Sequence, residues 1–282
     1  MTGPVRQPRS DLAEAASLRE LLRRNMAAML LCAAATGAVE LGSYVAARAS
    51  GTAAREALVA ALAAATMWTA LASAPMAVGG RGLGAAALRG AVPADASLLA
   101  LLVLWPAARS PGASAFLTLP GILKIWSVLA GMSVFSIAAV CCGRGHPARQ
   151  GLAVAAAGIL AAAVAGPFWF TGIIHALPYQ SATAFVAWAV HANPFCSATG
   201  AVAERVGFYW NDGQWDVMYS RIGVFGAYAP PPIQWYSSAA IYAALGAVLA
   251  PVAFLRRGKP TRPSPGLPAS SPPASAGPCR GG

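Results

Sequence analysis

The sequence contains few charged residues. Asp, Glu, Lys and Arg make up 10% of the 282 residues, whereas hydrophobic residues make up 57%. A soluble globular domain has about 25% charged residues, because water has to solvate its surface. So low a charge content excludes an ordinary water-soluble domain. The apolar residues also occur in runs of about 20, the length of helix that crosses a hydrocarbon layer roughly 30 Å thick.

Motifs for catalysis and nucleotide binding are missing as well. The sequence has no G-x-x-x-x-G-K-[ST] phosphate-binding loop, no H-E-x-x-H zinc motif and no G-x-S-x-G nucleophile elbow. Its five cysteines include no C-x-x-C pair, a pattern that indicates neither a disulfide framework nor a metal site. We therefore expect a protein that is not an enzyme by itself and that has no bound cofactor.

The apolar runs predict an all-α, polytopic membrane protein with a transmembrane domain over residues 26–255. Its third span is expected to be short or tilted, because Asp95 lies near its start and Pro106 near its end. The six predicted spans are 26–47, 57–78, 92–107, 117–142, 151–174 and 236–255.

A seventh apolar run, 182–203, is interrupted by Asn193 and Pro194. Neither half is long enough to cross a bilayer, so the run predicts a re-entrant or interfacial segment before the last span. This segment belongs to a predicted outer loop over residues 175–235. The loop is rich in Trp and Tyr, which favour the headgroup region of a membrane. An aromatic belt that holds the loop against the membrane and a substrate-facing mouth are both compatible with this composition.

The basic residues predict the orientation in the membrane. If the amino terminus lies in the cytoplasm, 14 Lys and Arg side chains fall on the cytoplasmic side and 5 on the outer side, with Lys124 inside a span. Cytoplasmic loops carry the excess of Lys and Arg. We therefore expect a multi-pass protein of the inner (plasma) membrane with both ends in the cytoplasm. This distribution explains the net charge of +11 through contact with the lipid bilayer, and no nucleic acid is needed.

The two ends differ in composition. Residues 1–25 form the predicted cytoplasmic amino-terminal segment. Within it, the stretch SDLAEAASLRELLRR, 10–24, places apolar residues at helical spacing with charged residues between them. This pattern is typical of an amphipathic helix that lies on the membrane surface, and a simple extension of the first span is the alternative. Residues 256–282 are rich in Pro, Ser and Gly and predict a disordered cytoplasmic tail.

Two ionisable residues lie deepest in the predicted spans, Glu40 in the first and Lys124 in the fourth. Each is seven residues from the predicted outer end of its span, which is about 10 Å at roughly 1.5 Å per residue. Charged residues at such depth usually pair or face a cavity. The hypotheses are an ion pair between Glu40 and Lys124, a position on a substrate path, and two unrelated residues with Lys124 extended toward the headgroups.

His175 and His191 flank the outer loop and the interrupted segment. If they approach each other they could hold a metal or a quinone, which defines one alternative function, a membrane-embedded redox or metal protein. Two histidines at the membrane interface without a ligand are the simpler interpretation. A structural or assembly subunit, with the aromatic loop as its contact surface, is a second alternative.

The overall layout resembles the permease subunits of type-two ABC exporters. SLRELLRRNM, 17–26, is similar to the basic entry that precedes their first span. HANPF, 191–195, with His191, Asn193 and Pro194, resembles the element that opens their re-entrant region. The resemblance implies that two such subunits, as a homo- or heterodimer, form the transport pathway, and that a separate ATPase subunit hydrolyses ATP.

The same resemblance implies where the ATPase would dock. The surfaces would be the amphipathic helix, with Arg19 and Arg23, and the loop 79–91 between the second and third spans, with Arg81 and Arg89. This loop departs from the family pattern, because it has no acidic residue and is short for a coupling helix. From its glycine-rich sequence we expect a flexible turn.

Overall fold

The chain is all-α in the part that the structure, a computed structural model, describes: residues 9–80, 83–107, 117–166, 173, 176–203 and 234–257. Over residues 9–22 only the backbone is described. These ranges contain no strand. The helices are α1 (Arg9–Ala49), α2 (Ala54–Val78), α3 (Leu83–Ala107), α4 (Leu119–Cys141), α5 (Gly145–Val164), α6 (Tyr179–Ala192), α7 (Pro194–Ala203) and α8 (Tyr236–Arg257).

Six of these helices are long and apolar enough to cross a membrane, so the prediction of a polytopic helical membrane protein is confirmed. The first, second, fourth and last agree with the predicted bounds within a few residues. The candidate spans are Asn25–Ala49, Glu56–Val78, Leu83–Pro106, Leu119–Cys141, Gly145–Val164 and Tyr236–Leu255.

Consecutive spans from α1 to α5 run in opposite directions. We name the two ends of the bundle by their turns: the upper end has the turn between α1 and α2, at residues 50–53, and the lower end has the end of α2 and the start of α3. Helices α4 and α8 run side by side in the same direction, because Gly131 faces Ala239 and Gly246 faces Val134. Helix α1 therefore enters the bundle, and α8 leaves it, at the lower end.

Glycine allows α4 and α8 to pack closely. A Cβ atom on Gly131 would lie 2.9 Å from the carbonyl oxygen of Ala239, and one on Gly246 would lie 2.8 Å from Cγ1 of Val134. Neither separation leaves room for a side chain. Small residues at helix contacts are the usual means by which membrane helices approach each other.

Helix α3 is longer than predicted. It begins at Leu83 rather than at residue 92, so most of the expected flexible turn at 79–91 is helix instead. Asp95 lies within the helix, and Nε1 of Trp126 donates a hydrogen bond of 3.1 Å to its carboxylate. Pro106 lies in the last turn and still belongs to α3.

Helix α5 is shifted toward the amino terminus, to Gly145–Val164 instead of 151–174. Pro147 lies in its first turn, where backbone N–H groups have no partner within the helix and proline is tolerated. The helix ends at Val164, and Ala165 is its C-cap. Residues 167–172 of the predicted span lie outside the described residues.

The amino-terminal segment continues into the first span without interruption. Helix α1 has 41 residues, which corresponds to about 60 Å, whereas its candidate span begins only at Asn25. The extension of the first span is therefore the alternative that the structure adopts, in place of a separate helix. At the other end of the chain, α8 ends at Arg257, and the predicted tail from residue 258 lies outside the described residues.

Candidate functional site

Polar and ionisable side chains form part of a buried stripe on α1. Cys32, Thr36, Glu40 and Tyr44 are all buried and follow each other at intervals of four residues. Residues four apart lie on one face of a helix, and this helix packs against α2 and α3. The stripe therefore directs a carboxyl group and a hydroxyl group into the bundle instead of toward lipid.

Glu40 is buried completely, with no exposed surface. Its Oε1 accepts a hydrogen bond from the hydroxyl of Ser97, a buried residue of α3. Its Oε2 is also buried and has no hydrogen-bond partner among the described residues. A carboxylate can accept about four hydrogen bonds, and a buried polar atom without a partner is costly. One of the two carboxyl oxygens therefore has no partner among the described residues inside the bundle.

Thr36, one turn below Glu40 on the same stripe, is fully satisfied. Its Oγ1 donates to the carbonyl oxygen of Cys32 at 2.8 Å and accepts from Nε1 of Trp68 on α2 at 2.9 Å. The contrast with Glu40 is informative, because both side chains lie in the same interface at a separation of four residues. The packing of α1 can satisfy a buried polar group, yet it leaves one oxygen of Glu40 without a partner.

Lys124 lies in the first turns of α4, near the upper end. Its Nζ atom is 5.4 Å from the ring centroid of Trp235, which immediately precedes α8. This is the distance of a cation–π contact. The two residues considered as an ion pair therefore have other neighbours: Ser97 for Glu40, and Trp235 for Lys124.

A second group of buried hydroxyls lies between α2 and α4. Ser73 and Ser133 are 3.0 Å apart and share a hydrogen bond across the two helices. Thr69 precedes Ser73 by one turn of α2, and Ser136 follows Ser133 by about one turn of α4. The hydroxyls of Thr69 and Ser136 are buried and have no hydrogen-bond partner in the described part of the chain. The interior of the bundle thus has spare hydrogen-bonding capacity in two places.

The predicted interruption at Asn193 and Pro194 is confirmed. Helix α6 ends at Ala192, Asn193 is extended, and α7 begins at Pro194. The Oδ1 atom of Asn193 accepts hydrogen bonds from the backbone N–H groups of Phe195 at 2.8 Å and Cys196 at 3.1 Å. Asn193 is therefore the N-cap of α7, a position for which asparagine is strongly preferred.

Two further hydrogen bonds hold this break inside the bundle. Nδ2 of Asn193 donates to the carbonyl oxygen of Val164, the last residue of α5, at 3.3 Å. The hydroxyl of Tyr242 on α8 donates to the carbonyl oxygen of Ala192 at 3.0 Å. These bonds satisfy backbone carbonyls that the ends of α5 and α6 leave without partners.

Helix α7 is enclosed by other helices although it is too short to cross a membrane. It has ten residues, which is about 15 Å, and residues 194–201 are buried. Its neighbours include α2, α4, α5 and α8. A Cβ on Gly121, at the upper start of α4, would lie 3.6 Å from the carbonyl oxygen of Ala201. Helix α7 thus ends near the upper start of α4.

The two predicted histidines are not equally described. His191 lies in the last turn of α6, and its Nδ1 is buried without a hydrogen-bond partner among the described residues. His175 lies outside the described residues. Within the described ranges, no three His, Cys, Asp or Glu side chains come together to hold a metal ion.

Arg89 is part of the bundle instead of part of an exposed loop. Its Nε donates to the carbonyl oxygen of Met76 at 3.1 Å, and its Nη1 donates to Oδ1 of Asn25 at 2.5 Å. Arg23 is exposed at the lower end. Arg81 lies outside the described residues, and of Arg19 only the backbone is described. Of the four residues proposed for docking, Arg89 therefore ties α1, α2 and α3 together.

Arg149 of α5 has a structural role that the sequence analysis missed. Its Nη1 donates to the carbonyl oxygen of Gly80 at 2.7 Å, and its Nη2 donates to that of Ala77 at 2.9 Å. Both acceptors belong to the carboxyl-terminal end of α2, where the helix dipole favours positive charge. A GRGHPAR stretch between two spans indicates only a basic turn, so the sequence contained no signal for this contact.

Comparisons with known proteins give no relative for this chain: no family model, no curated protein and no solved structure matches it. The function therefore has to be argued from the site itself.

Asn193 provides a test of how the re-entrant break is held. Replacing Asn193 by Ala removes the N-cap and the bond to Val164, and we expect it to lower the unfolding free energy by about 2 kcal/mol, the combined value of a cap and a buried hydrogen bond. Asn193→Asp keeps the accepting oxygen of the cap and removes only the donor. Its loss should be smaller if the cap dominates, as measured by thermal unfolding in detergent. Equal losses in both variants would contradict this division.

Proposed function

We propose that this protein is the membrane-embedded permease subunit of an ATP-driven transporter, and that Glu40 contacts the transported solute on its path through the bundle. The observation on which the proposal depends is Oε2 of Glu40, a buried acceptor without a partner in a candidate membrane span. A carboxyl group in this position is costly, and ionisable residues within membrane spans usually belong to substrate or ion pathways.

The environment of Glu40 supports a binding role over a purely structural one. A structural carboxylate is normally satisfied by several donors or by a basic partner, because its desolvation costs several kcal/mol. Glu40 has one neutral donor, Ser97, on one oxygen. The second oxygen is available to a donor group of a solute, and the hydroxyls of Thr69 and Ser136 in the interior likewise have no partner among the described residues.

The re-entrant pair α6–α7 is a second feature that supports transport. Non-helical backbone at membrane depth occurs where it is buried in protein or lines a cavity, and broken helices form the binding sites of many transporters. The break at Asn193 is buried and is held by α5 and α8. Transport folds use such elements to present backbone groups inside the membrane, whereas a passive anchor has no need of one.

A separate ATPase subunit follows from the same proposal, because the chain has no phosphate-binding loop. We place the lower end in the cytoplasm, since this is the orientation that the Lys and Arg distribution favours. The part of α1 before Asn25 then extends beyond the cytoplasmic membrane surface with the exposed Arg23 near its base. We assign ATPase docking to this extension instead of to Arg89, whose guanidinium is engaged within the bundle.

Purification of the full-length chain from its host tests the proposal. The tagged protein is extracted in mild detergent, its partners are identified, and ATP hydrolysis is measured. We expect a nucleotide-binding subunit in fixed stoichiometry, in a complex with two permease subunits. Deleting residues 9–20 should release the ATPase and leave insertion into the membrane unchanged. A complex that contains no nucleotide-binding subunit would exclude an ATP-driven transporter.

A further inference from the structure

Asp95 lies at the middle of α3, on its exposed side. It is twelve residues after Leu83 and twelve before Ala107, so about 18 Å of helix separates it from each end. Three large apolar residues share this side of the helix: Leu88, Leu99 and Val103 are 63%, 63% and 61% exposed. Together with Asp95 they form what we call the Asp95 face.

Among the described residues, the hydrogen-bond partner of the Asp95 carboxylate is a neutral side chain. Nε1 of Trp126 on α4 donates to Oδ1 at 3.1 Å. An indole N–H supplies one hydrogen bond but no positive charge. Because α3 is a candidate membrane span, the Asp95 face would present a carboxylate to the acyl chains near the centre of the bilayer. Ionisable residues at that depth almost always face protein or water instead.

The described cations of this chain have contacts elsewhere, and none of the contacts found for them is with Asp95. Arg48 is in the last turn of α1, Arg89 contacts the end of α2, and Lys124 lies against Trp235 at the upper end. A second copy that packed symmetrically through the Asp95 face would place one carboxylate near another. Since like charges repel strongly where water is absent, charge complementarity favours a different occupant.

We propose that the Asp95 face is the docking surface for a transmembrane helix of another protein, and that this helix presents a Lys or Arg side chain near its middle. Leu88, Leu99 and Val103 provide the apolar contact on either side of the charge pair. An unpaired basic side chain at the centre of a span is also costly to place in the membrane. Pairing with Asp95 would therefore lower this cost for both helices. The proposal does not depend on ATP-driven transport and also applies if the chain serves an assembly role.

A reconstitution with synthetic helices tests this. Full-length protein in phosphatidylcholine vesicles is mixed with Leu/Ala peptides of about 20 residues, each with a photoreactive group beside the test position. One peptide has Lys at its centre, one has Leu there, and one has Lys near its end. The cross-linked residue is identified by mass spectrometry. We expect the central-Lys peptide to attach to α3 or α4 about tenfold more efficiently than the other two, as for one polar contact between membrane helices.

The Asp95→Asn variant should lose this preference, and Glu40→Gln should keep it, because Glu40 is buried and faces α3 from the other side. Equal cross-linking by the Leu and central-Lys peptides on the unmodified protein would overturn the proposal, and this comparison does not require any variant to fold. Cross-links of the central-Lys peptide mainly to α5, whose Val154 is exposed, would also overturn it. So would self-association through α3 in the absence of any peptide, which would identify a second copy as the occupant.

Discussion

Replacing Glu40 by Leu together with Ser97 by Ala is expected to stabilise the folded protein and, under the proposed function, to impair transport. The double variant removes a carboxyl group with one unpartnered oxygen and the hydroxyl that bonds to the other oxygen. Replacing both partners of a buried hydrogen bond by apolar groups of similar shape is nearly neutral or stabilising, because no polar atom is then left without a partner. We therefore expect a higher midpoint of thermal unfolding in detergent, followed by tryptophan fluorescence.

The functional effect should have the opposite sign. If Glu40 contacts the solute, loss of this buried charged contact should weaken solute binding by about a hundredfold, since such contacts are worth about 2–5 kcal/mol. The measurement is the stimulation of ATP hydrolysis in the purified complex by a small-molecule extract of the host cells. The ATPase partner and unstimulated hydrolysis should remain.

Thr36→Val is the matched control for this experiment, because Thr36 lies one turn away on the same buried stripe. Its hydroxyl accepts a hydrogen bond from Nε1 of Trp68. Removing the hydroxyl therefore leaves the indole N–H of Trp68 without this acceptor. We expect stability to fall by about 1 kcal/mol and stimulation to remain. If the Glu40 variant were destabilised to the same degree and kept its stimulation, Glu40 would be a structural residue and the proposed solute contact would be wrong.

Replacing Arg149 by Met is expected to lower the unfolding free energy by about 3 kcal/mol, since two charge-assisted hydrogen bonds to backbone carbonyls are lost. Both acceptors, the carbonyl oxygens of Ala77 and Gly80, lie at the end of α2. Without the guanidinium, the partial negative charge at the carboxyl-terminal end of α2 would lose the positive charge that stabilises it. Helix α2 should fray at its lower end, which amide hydrogen exchange over residues 74–80 would report.

Arg149→Lys and Arg144→Met complete this comparison. Lysine keeps the charge but has no planar fork to reach two carbonyls at once, so we expect an intermediate loss of stability. Arg144 precedes α5 and is exposed, and its replacement should change stability by no more than about 0.5 kcal/mol. A loss at Arg144 equal to that at Arg149 would mean that net charge at the lower end matters, and not the contact with α2.

Much of the helical layout could be predicted because it depends on local properties of the chain. The spans that correspond to α1, α2, α4 and α8 were predicted within a few residues. An apolar run of sufficient length has to be helical in a membrane. The break at Asn193 followed from Pro194, which has no N–H to continue the helix. The starts of α3 and α5 were placed too late, because the glycine-rich stretch 79–91 was interpreted as a turn and residues 145–150 were assigned to the loop before the fifth span.

The sequence by itself therefore determined the class of the protein, six apolar helices with one interrupted segment, because hydrophobic length and proline chemistry act within a single helix. Only the tertiary structure decided which polar groups meet. Glu40 and Lys124 had been placed at similar predicted depth, yet the structure gives them Ser97 and Trp235 as neighbours, and it places Asp95 on an exposed face at mid-helix. Depth follows from counting residues along one helix, whereas a side chain's partner also depends on how each helix is rotated and packed against the others.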